Sequence, residues 1–173
     1  FAGEVKATPG ERLPHTTMPN QSPAQLEGLR PSIVNILVPW LEEDSSYPEI
    51  FDGLHGKVGA LVDEMAFNRA LEVIWDFLDA ANKYIAVWAP FSLMKDPANT
   101  DRVAHIIANL LEALRVIADA LEPFMPVTAR RIFGQLNLDP DGEAARAPYG
   151  HGLKPGHKLN APAPLFPRIE KST

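Results

Sequence analysis

The chain has no cysteine among its 173 residues. That excludes a disulfide framework, thiol catalysis and cysteine-ligated zinc, and it suits a reducing cytoplasm. No apolar run approaches the ~20 residues of a membrane span. The chain does not open on a basic stretch followed by an apolar core, so nothing reads as a signal peptide. Phosphate-binding signatures are also missing, with no Gly-rich loop between a strand and a helix and no Gly-Lys-Ser/Thr. The expectation is a soluble, cytoplasmic chain that does not hydrolyse nucleotides.

Basic surplus is likewise scarce. Formal net charge is six negative, which argues against a broad nucleic-acid-binding face, because phosphate neutralisation needs clustered Lys and Arg. The charge is uneven. From Ala129 to Thr173 seven basic residues face four acidic ones, a net of three positive, so Phe1 to Thr128 is nine negative. An RNA contact would have to be local, and nothing points to DNA. The first residue is Phe1 and not methionine, which predicts a piece of a longer or processed translation product.

What the chain does have is helical periodicity. Phe67, Leu71, Ile74, Leu78, Ala81, Ile85 and Trp88 recur at steps of four and three, as do Val103, Ile107, Leu110, Leu114, Ile117 and Leu121. The spacing predicts two amphipathic helices packed antiparallel across a joint at Ala89-Pro90-Phe91-Ser92-Leu93-Met94-Lys95-Asp96-Pro97. The first begins near Ala66 or Phe67 and ends before Pro90. The second follows Asn99 and Thr100, either of which suits an N-cap, with Asp101 in its first turn. Pro126 suits the first position of a third helix ending near Leu136. Phe51, Leu54, Val58, Leu61, Val62 and Met65 predict a further helix over Ile50 to Glu64, weakened by Gly53, Gly56 and Gly59.

The predicted class is all-α, a helical bundle with a Pro-rich N-terminal segment and an extended C-terminal tail. Residues 1–49 form the Pro-rich, mostly irregular segment, a candidate insertion. Residues 50–138 form the bundle and 139–173 a loop and tail. Within the first segment Ser32 to Leu41 is apolar enough to be buried, and Trp40 reads as a core anchor. In the tail, Leu165, Phe166 and Ile169 predict docking onto a surface outside this chain or elsewhere in it.

Catalytic chemistry is not readable. Glu112 and Glu122, or Asp76 and Asp79, read as exposed-face carboxylates, not acid–base pairs. His105 reads as a partly buried core histidine. His151 and His157 lack a third ligand and helical spacing, so no metal site is expected. The joint remains. Pro90 stops a helix and leaves Phe91 on a stiff turn followed by Lys95, where a ring could stack on an unpaired base while the lysine meets a phosphate. An aromatic after a helix-ending proline more often caps a core, so the residues alone leave both readings open.

Several blocks, in order, resemble the anticodon-binding domain of methionyl-tRNA synthetase, a class I synthetase. They are Asn68-Arg69-Ala70-Leu71-Glu72-Val73-Ile74-Trp75, Ala81-Asn82-Lys83-Tyr84-Ile85, Ala89 to Asp96, Leu110 to Arg115, Glu122-Pro123-Phe124-Met125-Pro126 and Leu165-Phe166-Pro167-Arg168-Ile169-Glu170. The resemblance implies a helical bundle beside a catalytic domain, reading the CAU anticodon of methionine tRNAs. It implies that Pro90 and Phe91 are the anticodon-binding residues, with Phe91 where the family usually has tryptophan. The family's anticodon-reading Asn and Arg lie upstream of Phe1 and are not carried over, and an isolated chain is expected to bind an anticodon stem-loop feebly. The His-Ile-Gly-His-like and Lys-Met-Ser-Lys-Ser-like catalytic loops are absent, so no catalytic residue is assigned. No cofactor is expected in this fragment. ATP with magnesium is implied for the full-length ligase, whose missing catalytic domain and tRNA are the implied partners. A free-standing helical interaction module without catalysis is the alternative, motivated by the acidic front half and Pro-rich leader.

Overall fold

The computed structural model describes residues 47–167, with side chains from residue 53 onward. The segment containing Ser32 to Leu41, together with Trp40 and Ile169, lies outside the described residues. Four helices dominate: α1 (Tyr47–Asp63), α2 (Phe67–Trp88), α4 (Thr100–Leu121) and α5 (Pro126–Gln135), with a one-turn α3 (Pro90–Leu93) at the joint. The class is all-α. Short 3-10 turns at Pro97–Asn99 and Glu143–Arg146 complete the elements, the second falling where no helix was expected. Among the described residues no helix is long and apolar enough to cross a membrane.

Helix ends follow local chemistry. Pro126 occupies the first turn of α5, where its missing N–H costs no hydrogen bond. Met65 closes α1 in the left-handed region at φ 59°. Its N–H reaches Val62 O at 2.9 Å and that of Ala66 reaches Leu61 O at 2.8 Å, the paired bonds of a Schellman cap. Met65 therefore lies past the helix and is 74% exposed, not on the buried face with Leu54 and Val58 as its spacing predicted. Asn137 closes α5 in the same way, at φ 55°.

The apolar stripes are also rotated from their predicted phase. On α2 the buried residues are Ala70, Ile74, Phe77, Ala80, Ala81, Tyr84, Val87 and Trp88, whereas Phe67 is 46% exposed and Leu71, Leu78 and Ile85 are half-buried. The buried stripe mixes small alanines with the large side chains of Ile74, Phe77, Tyr84 and Trp88. On α4 the predicted Leu114 is exposed, while Ala104, Ala108, Ala113, Ala118 and Ala120 are buried. α4 packs against α1, α2, α3 and α5, so it is covered around most of its circumference, and a single-face pattern cannot describe it.

The largest correction concerns Glu112. Far from lying on an outer face, it is 0% exposed, and Arg115 one turn on is 1% exposed. Glu112 Oε1 accepts from Arg115 Nε at 3.0 Å and Nη2 at 2.8 Å, and from the N–H groups of Gly150 at 3.0 Å and Gly152 at 3.1 Å. Its Oε2 accepts from Leu153 N at 3.2 Å. Arg115 in turn donates to Ala145 O and Ala147 O, both at 2.7 Å. The pair fastens residues 145–153 onto α4. Leu153 is buried there against Ala104 and Ala108. Of the other carboxylates read as exposed, Glu122 is half-buried and meets Arg146 at 3.2 Å, Asp76 is half-buried and Asp79 is exposed.

The tail finds its docking surface within the chain. Asn160 N donates to Gln135 O at 3.0 Å, Gln135 Nε2 to Ala163 O at 2.7 Å and Arg131 Nη1 to Leu165 O at 3.1 Å. Leu165 packs on the core, but Phe166 is 70% exposed. Polar contacts along α5, more than the apolar residues, hold this strap.

Two stability tests follow from the clamp. A Cβ on Gly152 would lie 2.2 Å from Arg115 Nε and 2.7 Å from Ala144 O, so Gly152→Ala should destabilise the fold by about 1–3 kcal/mol in denaturant melts. Arg115→Met, which leaves the Glu112 carboxylate buried without its cation, should cost about 3–5 kcal/mol.

Candidate anticodon interface

The joint is built from three constraints in succession. α2 ends at Trp88, and Ala89 turns into the left-handed region at φ 42° and ψ 54° with its N–H on Ile85 O. Pro90 cannot donate and has a fixed φ, so it ends one helix and starts the next. Ser92 N and Leu93 N both donate to Ala89 O, at 2.8 and 3.1 Å, closing α3 as a single tight turn. The residue before the proline thus leaves the right-handed helical region, as expected.

The far side of the joint is fixed by Asp96. Its carboxylate accepts from Ala98 N at 2.9 Å and caps the Pro97–Asn99 turn. Asn99 stands at the N-cap of α4 but makes no side-chain capping bond. Thr100 lies inside the helix, and its hydroxyl donates to Pro97 O at 2.7 Å. Neither acts as the expected side-chain cap, because the 3-10 turn already supplies acceptors upstream. Asp101 is in the first turn, as read, and His105 is half-buried with Nδ1 2.8 Å from Asp101 O.

Pro90 and Phe91 have opposite environments. Pro90 is buried and Phe91 is 67% exposed, so the ring does not cap the core. Pro90 is the residue that seats the corner. Met94, 46% exposed, and Lys95 follow on the same open turn. Exposure alone singles out nothing here, since Phe166 and Val127 are equally open. Phe91 differs from them in its place, on the short turn between α2 and α4 directly after the buried Pro90.

Behind the corner lies an arrangement that sequence reading missed. Trp88 is 6% exposed, its ring meets Tyr84 edge-on at 6.0 Å, and the Arg102 guanidinium stands 4.6 Å from its centroid. No local pattern links two residues on different helices. Among the described residues no group of three His, Cys, Asp or Glu side chains could hold a metal. His151 is exposed, and His157 Nε2 donates to Leu136 O at 2.6 Å.

Comparison with known proteins gives this geometry a context. A family profile described as the anticodon binding domain of methionyl tRNA ligase matches residues 43–173. The methionine–tRNA ligase of Fusobacterium nucleatum is 40% identical over 107 residues, 60% of this chain and 17% of that protein. That of Enterococcus faecalis is 30% identical over 148 residues, 85% of this chain and 22% of that protein. Mycobacterium tuberculosis methionyl-tRNA synthetase in complex with methionyl-adenylate superposes with a TM-score of 0.68 at 28% identity, over 96% of this chain and 27% of the larger one. Its apo form superposes with a TM-score of 0.65 at 26% identity over 98% of this chain. The chain therefore spans about a fifth of the length of the curated relatives it matches. With the four-helix fold and most of the sequence in agreement, the chain belongs to the family of methionyl tRNA ligase anticodon binding domains.

Proposed function

We propose that this chain is the anticodon-reading part of a full-length methionine–tRNA ligase, and that it recognises the CAU anticodon of methionine tRNAs in the cytoplasm. The observation that carries the reading is an aromatic ring, Phe91, held 67% exposed on a backbone-fixed corner within the matched region. Its π face stacks on an unpaired anticodon base, and Lys95 on the same turn meets the adjacent backbone. Pro90 acts as a positioning residue. A rigid corner presents the ring without an ordering cost at the moment of binding.

Chemistry belongs elsewhere in such an enzyme. The described residues are helices and connecting loops. Activation of methionine with ATP and magnesium is assigned to a catalytic domain on the same polypeptide. The gene sequence upstream of Phe1 tests this: it should encode the two class I loops, and a reading frame without them favours the free-standing interaction module.

In a full-length ligase, Phe91→Ala should weaken anticodon-dependent aminoacylation by about 1–3 kcal/mol while methionine activation stays intact. Phe91→Trp, which enlarges the π face, should retain aminoacylation. An unchanged rate in the alanine variant would remove the stacking role.

A further inference from the structure

Arginines in this bundle are mostly spent on the protein itself. Arg69 pairs with Glu64, Arg115 with Glu112, Arg131 with Leu165 O and Arg146 with Glu122. Arg102 differs. It sits in the first turn of α4, half-buried, with its guanidinium on the Trp88 ring. Among the described residues it has no carboxylate or carbonyl partner. A cation–π contact orients the guanidinium yet uses none of its N–H donors.

The Trp88 side of the contact is informative too. Its indole N–H is buried with no hydrogen-bond partner among the described residues. What the indole adds over a phenyl ring here is its wider π face, and Arg102 lies on that face. Trp88 ends α2 and Arg102 begins α4, so the pair joins the two helix ends that flank the turn bearing Phe91. The surrounding charge is balanced, with Lys95 and Arg102 against Asp96 and Asp101. No polyanion is drawn here by field alone. An anion must be met by a directed contact, and an oriented guanidinium with free donors supplies one.

We propose that Arg102 is a second RNA-binding residue of the corner, donating to a backbone phosphate next to the nucleotide stacked on Phe91. The proposal rests on the reading of Phe91 as the stacking ring. Because the contact is to backbone, it contributes affinity without base preference.

The test is a salt titration of a fluorescently labelled anticodon stem-loop RNA binding to the full 173-residue chain, begun at low ionic strength. Arg102→Gln should bind more weakly, with the slope of log K against log salt shallower by about 0.7–0.9, as for loss of one phosphate contact. Arg102→Lys should keep the wild-type slope and lose part of the affinity, since the charge stays and the planar fork goes. Phe91→Ala should weaken binding with the slope unchanged. Wild-type affinity in either Arg102 variant, or an unchanged slope in a folded Arg102→Gln protein, overturns the phosphate contact while a weakened Phe91→Ala leaves the stacking reading standing. If Arg102→Gln loses helicity by circular dichroism, Arg102→Lys decides. Wild-type binding by Phe91→Ala, or no binding by the wild-type chain, overturns the reading on which the contact rests.

Discussion

A buried carboxylate one turn before a buried guanidinium, Glu112 and Arg115 on α4, is an expensive thing for a domain of this size to contain. Removing both ions from water costs several kcal/mol each, and their mutual attraction offsets this only when the remaining donors and acceptors are satisfied. Here backbone does that work. The N–H groups of Gly150, Gly152 and Leu153 converge on the carboxylate, and the carbonyls of Ala145 and Ala147 on the guanidinium. The segment after the bundle is thereby folded around the pair, and it tolerates no side chain at Gly152. The strap along α5 follows that anchorage in the chain.

The same helix connects the anchorage to the corner. α4 carries the ion pair in its second half and packs on α1, α2, α3 and α5. Its first turn meets the Asp96-capped 3-10 turn, which ends the joint. Pro90 is buried at the other end of the joint. The exposed ring at position 91 is thus held by short-range backbone bonds at a place set by long-range packing.

Legibility from sequence divided along that same line. The bounds of α2, α4 and α5 were readable because prolines end and start helices by local sterics and, in α2 and α4, the apolar period spans five or more turns. The phase of the stripes was legible only in part, since Ile74, Ala81 and Trp88 are buried as read, but large residues such as Phe67 and Leu71 dominate a hydrophobic count while Ala70, Phe77, Ala80 and Tyr84 occupy the contact. The left-handed caps at Met65 and Asn137 carried no glycine to announce them. Glu112 looked like any surface acid because its backbone partners lie some forty residues away in the chain. At the candidate site, the corner's geometry was legible from Pro90, but the role proposed for it rests on the ordered resemblance. Arg102 on Trp88 left no trace in the spacing.

The opposed burial of Pro90 and Phe91 has a consequence for how such a domain can vary. Because the ring touches little of the core, a change of aromatic at position 91 need not propagate into the fold, whereas a change at 90 alters where every later atom of the turn is placed. The buried proline sets the place of the turn, and the exposed ring upon it is free of the core.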